Sequence, residues 1–299
     1  MTRENALERR LERDWGAIDA QHVASGRRLM DRAWVRHWHD ELEAMNSGKR
    51  GRPYRFPRSL VRFASRLRSS SRLGLRRLQG ALASLLGSFG LEAPDYTTLR
   101  KRLLLDEDEL TVPRSKEHVL TINSTGLAVS RRGEWLRGRN RGFVKLHAAV
   151  DVASGAFASY VVTDERTGDA RLLPTLVRQA QESLDGRVVK VLADAAYDAR
   201  ANFDFLDLQG IEAGINVRRR ANAKMQGGSM ARSRVVREIK RVGVEVWKCE
   251  HGYSDRWTIE RTFGGFKRMF DDAISSRSLD TMRSEIERNV IAYNAMLLN

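Results

Sequence analysis

The chain reads as an α/β protein in which an all-helical region precedes a mixed sheet with flanking helices. Up to about residue 112 the apolar residues recur at helical spacing between turn-rich breaks. After Pro113 the period changes, and four β-rich runs, Val119–Ile122, Val144–Val150, Ala156–Val162 and Val188–Leu192, are bounded by Gly, Ser or Asp turns. Charge adds a third observation: 53 Lys and Arg stand against 38 Asp and Glu, a net charge of +15 over 299 residues. Such an excess calls for a polyanionic partner, nucleic acid first among them. A hydrophobic content of 41% is enough to build a core. The single cysteine, Cys249, excludes an internal disulfide, and with His251 it would supply at most two ligands, too few for a closed zinc centre. With no apolar signal core at the N-terminus and no stretch long enough to span a bilayer, a soluble cytoplasmic protein without a membrane partner is expected.

Residues 1–47 form the first predicted unit, a helical arm in which Trp15, Trp34 and Trp38 punctuate a charged background with Leu7, Leu11, Ile18, Leu29, Val35 and Leu42. Tryptophans at helical spacing point to packing or dimerisation, with contact to DNA as the alternative. Residues 48–56 are a basic, turn-rich linker whose Arg50-Gly-Arg52-Pro53 is either a solvated connection or a minor-groove clamp. In the second case slender extended backbone carries Arg50 and Arg52 into the narrow, negative groove of A·T-rich DNA.

Residues 57–112 are expected to fold as a helix-turn-helix domain. One helix starts at Pro57 with Leu60, Phe63, Ala64 and Leu67 inward, a second covers Leu75–Leu86, and Asp95 caps a third over Tyr96–Leu103. Thr97, Thr98, Arg100, Lys101 and Arg102 of the third helix are the candidates for base and phosphate contact. A plain helical bundle with a basic surface is the alternative.

From residue 113 to 299 the pattern predicts three strands, a helix over Arg171–Leu184, a fourth strand, a helix around Phe203–Leu208 and a strand near Ile211–Val217. Asn123 should lie at the end of the first strand and Asp194 at the end of the fourth, where a sheet gathers residues distant in sequence. The run from about 218 to 234, opening with Arg218, Arg219 and Arg220, is expected to be a basic loop that orders against phosphates. Asp151 opens a turn and His147 sits within a strand, so both are given structural roles. Leu279–Leu298 closes the chain as an amphipathic helix with Met282, Ile286, Val290 and Tyr293 inward.

Between these last elements Tyr253, Arg256, Glu260 and Lys267 stand at offsets of three, four and seven. On a single helix they fall within roughly 60° of one another, beside a stripe of Ile259, Phe263, Phe266 and Phe270. A carboxylate flanked by cations suits a metal bound beside a phosphodiester, whereas the plain reading is a charged surface helix.

The Tyr-x2-Arg-x3-Glu-x6-Lys spacing resembles the C-terminal signature of the DDE transposases of bacterial and archaeal insertion sequences. Val191-Leu-Ala-Asp194-Ala-Ala-Tyr197-Asp198 resembles the second acidic motif of that family and Thr121-Ile-Asn123-Ser-Thr-Gly-Leu127 the first. Lys145–Asp151 and Gly48–Pro53 are also family-like, and together these segments point to the insertion-sequence-five group of the insertion-sequence-four superfamily. The resemblance implies an RNase H-like fold and a homodimer on double-stranded DNA, acting on terminal inverted repeats and target DNA in the nucleoid. It implies Asn123, Asp194 and Glu260 as the catalytic and metal positions, with two Mg2+ (or Mn2+) ions about 4 Å apart. Arg256, Lys267 and Tyr253 would hold phosphates near the cut.

Asn123 departs from that pattern, because the family has aspartate there. The amide keeps one carbonyl oxygen and loses the charge that a hard cation favours. The chain as written should therefore bind DNA and cut it poorly. Either the substitution traps a complex before cleavage, or the chain is a naturally inactive relative serving as repressor or architectural factor.

Overall fold

The computed structural model describes residues 15–105, 109–130, 142–219, 221–222 and 229–298. Residues 1–14 of the expected arm, Arg220 and residues 223–228 of the expected basic loop lie outside the described residues, as do the side chains of Trp15 and Ile18. The chain divides into two compact units, one running to Leu105 and one from Glu109 to Asn294.

The first unit is helical: α1 (Trp15–Leu29), a 3-10 turn (Ala33–His37), α2 (Trp38–Asn46), α3 (Arg58–Ser71), α4 (Leu75–Gly87) and α5 (Tyr96–Leu105). Its core joins Trp38, Leu60, Phe63, Ala64, Leu78, Leu82, Leu86, Leu99 and Leu103, with Leu67 packed against it; helical spacing marked Leu60, Phe63, Ala64 and Leu67 as inward. Trp34 lies 5.4 Å from Phe63 between ring centroids, and Trp38 meets Phe56 edge-on at 6.5 Å. Pro57 precedes α3 and has no side chain to cap it, so Glu41 of α2 accepts from the amide of Ser59 at 2.9 Å and from its hydroxyl. That satisfies an orphan donor of the first turn. Asp95 caps α5 as expected, accepting from the amides of Thr97 and Thr98 at 2.7 and 3.0 Å.

The second unit is a mixed sheet with helices on both faces. Its elements are β1 (Glu117–Val129), β2 (Phe143–Asp151), β3 (Phe157–Asp164), a 3-10 turn (Asp169–Leu172), α6 (Leu173–Ser183), β4 (Arg187–Ala193), a 3-10 turn (Ala195–Tyr197), α7 (Arg200–Leu208), β5 (Glu212–Ile215), α8 (Met230–Val242), α9 (Val244–Glu250), a 3-10 turn (Tyr253–Arg256), α10 (Trp257–Phe270), β6 (Ala273–Ile274) and α11 (Leu279–Leu298). The strand order is β3-β2-β1-β4-β5, with β6 against β1. β2 runs antiparallel to β1 and β3, while β4 is parallel to β1 and β5. This order and these directions are the RNase H-like arrangement.

Leu120, Ile122, Ala149 and Val191 face Leu176, Val177, Phe203, Leu206 and Tyr197 on one side of the sheet. On the other side Phe157 packs against Phe263, Phe266 and Tyr293 with centroid separations of 6.4, 5.7 and 5.4 Å. At the register shift between Ala149 and Val150 the backbone of Phe157 pairs with Asn294, which accepts from its amide at 3.0 Å and donates to its carbonyl at 2.7 Å. A fully buried amide is thereby satisfied.

Four expectations are corrected. β1 runs on to Val129, so Asn123 lies inside the strand and not at its end, because β2 pairs with it as far as Ala128. Residues 230–234 belong to α8: Ser229 caps it, accepting from the amide of Arg232 at 3.0 Å, and Ala231 and Val236 face the core. The fifth strand is confined to Glu212–Ile215. Tyr253 and Arg256 occupy a separate 3-10 turn after the left-handed Gly252 (φ 57°), and α10 starts only at Trp257. In that tighter turn residues three apart eclipse, so Arg256 lies 5.9 Å from the Tyr253 ring.

Candidate active site

Strand alternation decides which face carries the polar motif residues. Ile122 and Ala193 are register partners and both face α6 and α7, so Asn123 and Asp194, one residue further along each strand, turn to the α10 side. Asn123 is partly exposed, and its Oδ1 accepts from the amide of Ser124 at 2.8 Å. Asp194 caps the 3-10 turn that follows β4, its Oδ1 accepting from the amide of Ala196 at 2.8 Å. Glu260, in the first turn of α10, is paired through Oε1 with Arg256 Nη2 at 2.8 Å.

The elements are laced together by their own motif residues. Thr121 Oγ1 donates to the carbonyl of Arg256 at 3.3 Å, and Tyr253 Oη donates to the carbonyl of Ala193 at 3.2 Å. Lys267 Nζ donates to the carbonyl of Gly126 at 2.9 Å. Burial raises the phenol of Tyr253 above its ordinary range, so it stays a hydrogen-bond donor. Trp247, wholly buried, packs its ring 5.8 Å from that of Tyr253.

The sheet edge here has a notch. β4 pairs with β1 as far as Ile122, and β6 takes over the same edge at Ala128. Between them, among the described residues, Asn123–Leu127 has no strand partner on that edge, and Lys267 bonds to the backbone within it. Alongside lies an open cleft of about 740 Å³ bordered by Asp194, Asn216, Lys248, Tyr253, Arg256 and Trp257. Asn123 and Glu260 do not line this cleft, so the polar cluster sits at its margin.

Sequence reasoning missed three of the cleft residues. Trp257 is 60% exposed, with the Arg256 guanidinium 5.3 Å from its ring centre; an exposed tryptophan beside the motif arginine was the available signal. Asn216 falls within the stretch read as the fifth strand, and Lys248 lies beyond the expected loop, among residues to which the sequence reading assigned no element.

The carboxylate chemistry is short of a three-acid metal centre. Among the described residues no group of three or more His, Cys, Asp or Glu is arranged to hold a metal. Asp194 and Glu260 offer hard anionic oxygens and Asn123 a neutral one, a donor set that fits a hard cation through two carboxylates. Asp151 is structural: Oδ2 accepts from the amide and hydroxyl of Ser154 at 2.9 and 2.7 Å, and Oδ1 lies 3.0 Å from His118 Nδ1. His147, on the far face near Asp169, is pushed down to about 4 by burial.

The remaining sequence candidates lie apart from this cluster in the chain. Arg50 and Arg52 are exposed, and the Arg52 carbonyl accepts from Lys49 Nζ at 2.8 Å. Arg100 and Lys101 are exposed on α5. The hydroxyls of Thr97 and Thr98 both donate to Asp95, whose carboxyl they hold well below its usual range, Thr97 foremost. Arg102 donates to the Phe56 carbonyl at 3.1 Å and lies over the Tyr54 ring at 4.8 Å, which fastens α5 to the preceding linker. Arg218 and Arg219 are exposed, the Arg218 amide donating to Asp198 Oδ2 at 3.0 Å.

Residues 98–295 match a family model described as a transposase DDE domain, and residues 27–132 match a second model of the same description. No curated protein matches the chain. Among solved structures, the Drosophila P element transposase strand transfer complex is similar at 17% identity over 60% of this chain and 41% of that one, with a TM-score of 0.31. The simian T-cell lymphotropic virus intasome in complex with PP2A regulatory subunit B56 gamma is similar at 14% identity over 66% of this chain and 65% of that one, with a TM-score of 0.28. The chain thus spans less than two thirds of the length of either matched chain. Among the described residues no helix is long and apolar enough to cross a membrane.

Proposed function

The chain belongs to the transposase DDE domain family, and from that premise we propose that it is an insertion-sequence transposase of the insertion-sequence-five group. In this reading it binds the terminal inverted repeats of its element as a homodimer, cleaves DNA with Mg2+ and joins 3′-hydroxyls to target DNA. The single observation that carries the reading is the lacing of the motif segments to one another: Tyr253 bonds to the residue before Asp194, Lys267 to the backbone three residues past Asn123, and Arg256 to Glu260.

Each side chain has a role that follows from its surroundings. Asp194 and Glu260 would hold a divalent cation, which when bound activates the attacking water or 3′-hydroxyl. Arg256, 13% exposed, is pre-positioned by Glu260 and by the ring of Trp257, so a phosphate reaching the cleft meets an ordered guanidinium. Lys267 supplies a second positive charge over the notch. The exposed cations Arg50, Arg52, Arg100, Lys101, Arg218 and Arg219 would engage DNA phosphates, with α4 and α5 as the helix-turn-helix pair.

Asn123 leaves this donor set one carboxylate short, which makes cleavage by the chain as written weak. Asn123→Asp should restore Mg2+-dependent cleavage of end-containing duplexes, and adding Glu260→Gln to that variant should abolish it while leaving DNA affinity nearly intact. Full cleavage by the double variant would end the proposal. Asn123 also favours a second reading, a transposase-derived repressor or architectural protein; binding to paired repeats with no cleavage even after Asn123→Asp would select it.

A further inference from the structure

We propose that the recess between β5, α8 and α9 receives one nucleotide of the DNA strand that continues past the scissile phosphate, its phosphate on a cationic rim and its base on an apolar floor. The proposal rests on the transposase reading above and identifies which part of the DNA leaves the cleft by this route.

The recess encloses about 380 Å³. Its floor is made of Val217, Val236, Ile239 and Val244, and its rim carries Arg218, Arg219, Lys240 and Lys248. Asn216 and Lys248 border both this recess and the cleft that holds Asp194 and Arg256. The two hollows therefore adjoin, and a strand leaving the cleft on that side meets the rim first.

The distribution of ion pairs separates this rim from an ordinary solvated face. Along α8, Arg232 is bound by Asp198 at 2.6 Å and Arg234 by Asp207 at 2.5 Å. Lys248 is paired with Glu245 at 2.8 Å. The guanidinium groups of Arg218 and Arg219 and the ammonium of Lys240 have no carboxylate partner among the described residues. Unpaired cations gathered round an apolar hollow suit a phosphodiester carrying an exposed base. A paired base cannot turn its face into a concavity of this size, so the nucleotide must be unstacked and the flanking strand locally single. The helical layer that builds the recess is fixed to the sheet by His251, whose Nδ1 lies 2.8 Å from Glu212 of β5 and whose Nε2 lies 3.3 Å from Glu238 of α8.

Cys249, exposed on the cleft side and next to Lys248, is the one cysteine of the chain and provides the test. The full chain is mixed with an element-end duplex bearing a single-stranded flank of about five nucleotides, one of which carries a disulfide-tethered thiol. Attack by the Cys249 thiolate forms the mixed disulfide and releases the small thiol. Cross-linking is expected from the flank and not from the same tether in the paired region, and Cys249→Ser should abolish it. In parallel, Lys240→Glu should weaken binding of the tailed duplex about tenfold and leave a blunt duplex unaffected, with thermal unfolding unchanged. Equal affinity of the unsubstituted protein for tailed and blunt ends, or equal weakening of both by Lys240→Glu, would overturn the recess and leave the transposase reading standing. Competition of the cross-link by an acidic peptide as effectively as by oligonucleotide would assign the rim to a protein and overturn it as well. Failure to bind any element-end duplex would remove the transposase reading and the recess together.

Discussion

Arg232 grips Asp198 with two nitrogens, Nε at 2.6 Å from one carboxylate oxygen and Nη2 at 2.9 Å from the other. Asp198 also accepts from the Arg218 amide. One buried carboxylate thus fastens α8 and the end of the β5 connection to the turn that carries Asp194. Hydrogen bonding to this carboxylate raises the pKa of Arg232 further, so the pair stays ionised.

Asp198→Ala would strand a charge that is only 15% exposed. We expect a loss of about 3–5 kcal/mol in unfolding free energy, because an uncompensated buried ion costs more than the pair contributes. Chemical denaturation measures it, and a loss below about 1 kcal/mol would show that α8 is not anchored here.

His147 is neutral in the folded protein, with a pKa near 4 set by burial, then raised by Asp169 and lowered by Lys145. Its unfolded value lies near 6.5, so between pH 6.5 and 4 the unfolded chain binds the extra proton. Stability should therefore fall as pH drops through that window, by at most about 1.4 kcal/mol per unit from this group. Thermal midpoints across the window should decline less steeply for His147→Gln; parallel declines would remove His147 as the cause.

Gly186 has no room for a side chain: a Cβ there would lie 2.0 Å from the Ser115 carbonyl and 2.8 Å from that of Lys116. Gly186→Ala should cost about 1–3 kcal/mol by forcing the start of β4 away from β1. At Gly80, where a Cβ meets nothing within 4 Å, the same change should be neutral or mildly stabilising, by up to about 1 kcal/mol. Equal effects at the two positions would contradict this packing.

Lys267 gives up one exposed hydrogen bond on substitution, so Lys267→Ala should cost under about 1 kcal/mol in stability. Its effect on cleavage in the Asn123→Asp background should be larger, about tenfold, with partial rescue by Lys267→Arg. Unchanged cleavage would confine this lysine to tying α10 to β1.

The sequence made the helical core of the first unit and the sheet of the second legible because their apolar periods differ so plainly. Leu60, Phe63, Ala64 and Leu67 recur at helical spacing, while the runs that start at Val144 and Val188 are short and bounded by turn residues. Strand ends were harder to read. β1 continues through the polar Asn123-Ser-Thr-Gly because its backbone is held by β2, a tertiary pairing that local composition does not encode. The motif at 253–267 was read as one helix, yet its first four residues form a 3-10 turn, since Tyr253 is drawn to the Ala193 carbonyl and Gly252 breaks the path. The start of α8 was hidden because its arginines extend the basic run read as a loop, and no element was assigned to the residues of α9.

The notch in β1 has a consequence for when chemistry becomes available. It is bordered by β4, by β6 and by α10, segments joined to Asn123 only through contacts distant along the chain, and such contacts form slowly. During synthesis the core of the first unit, from Trp38 to Leu103, leaves the ribosome before the first residue of β1, whereas Ile274 emerges after every other segment that borders the notch. Translation order therefore withholds the polar cluster from any chain that has not yet reached α10 and β6.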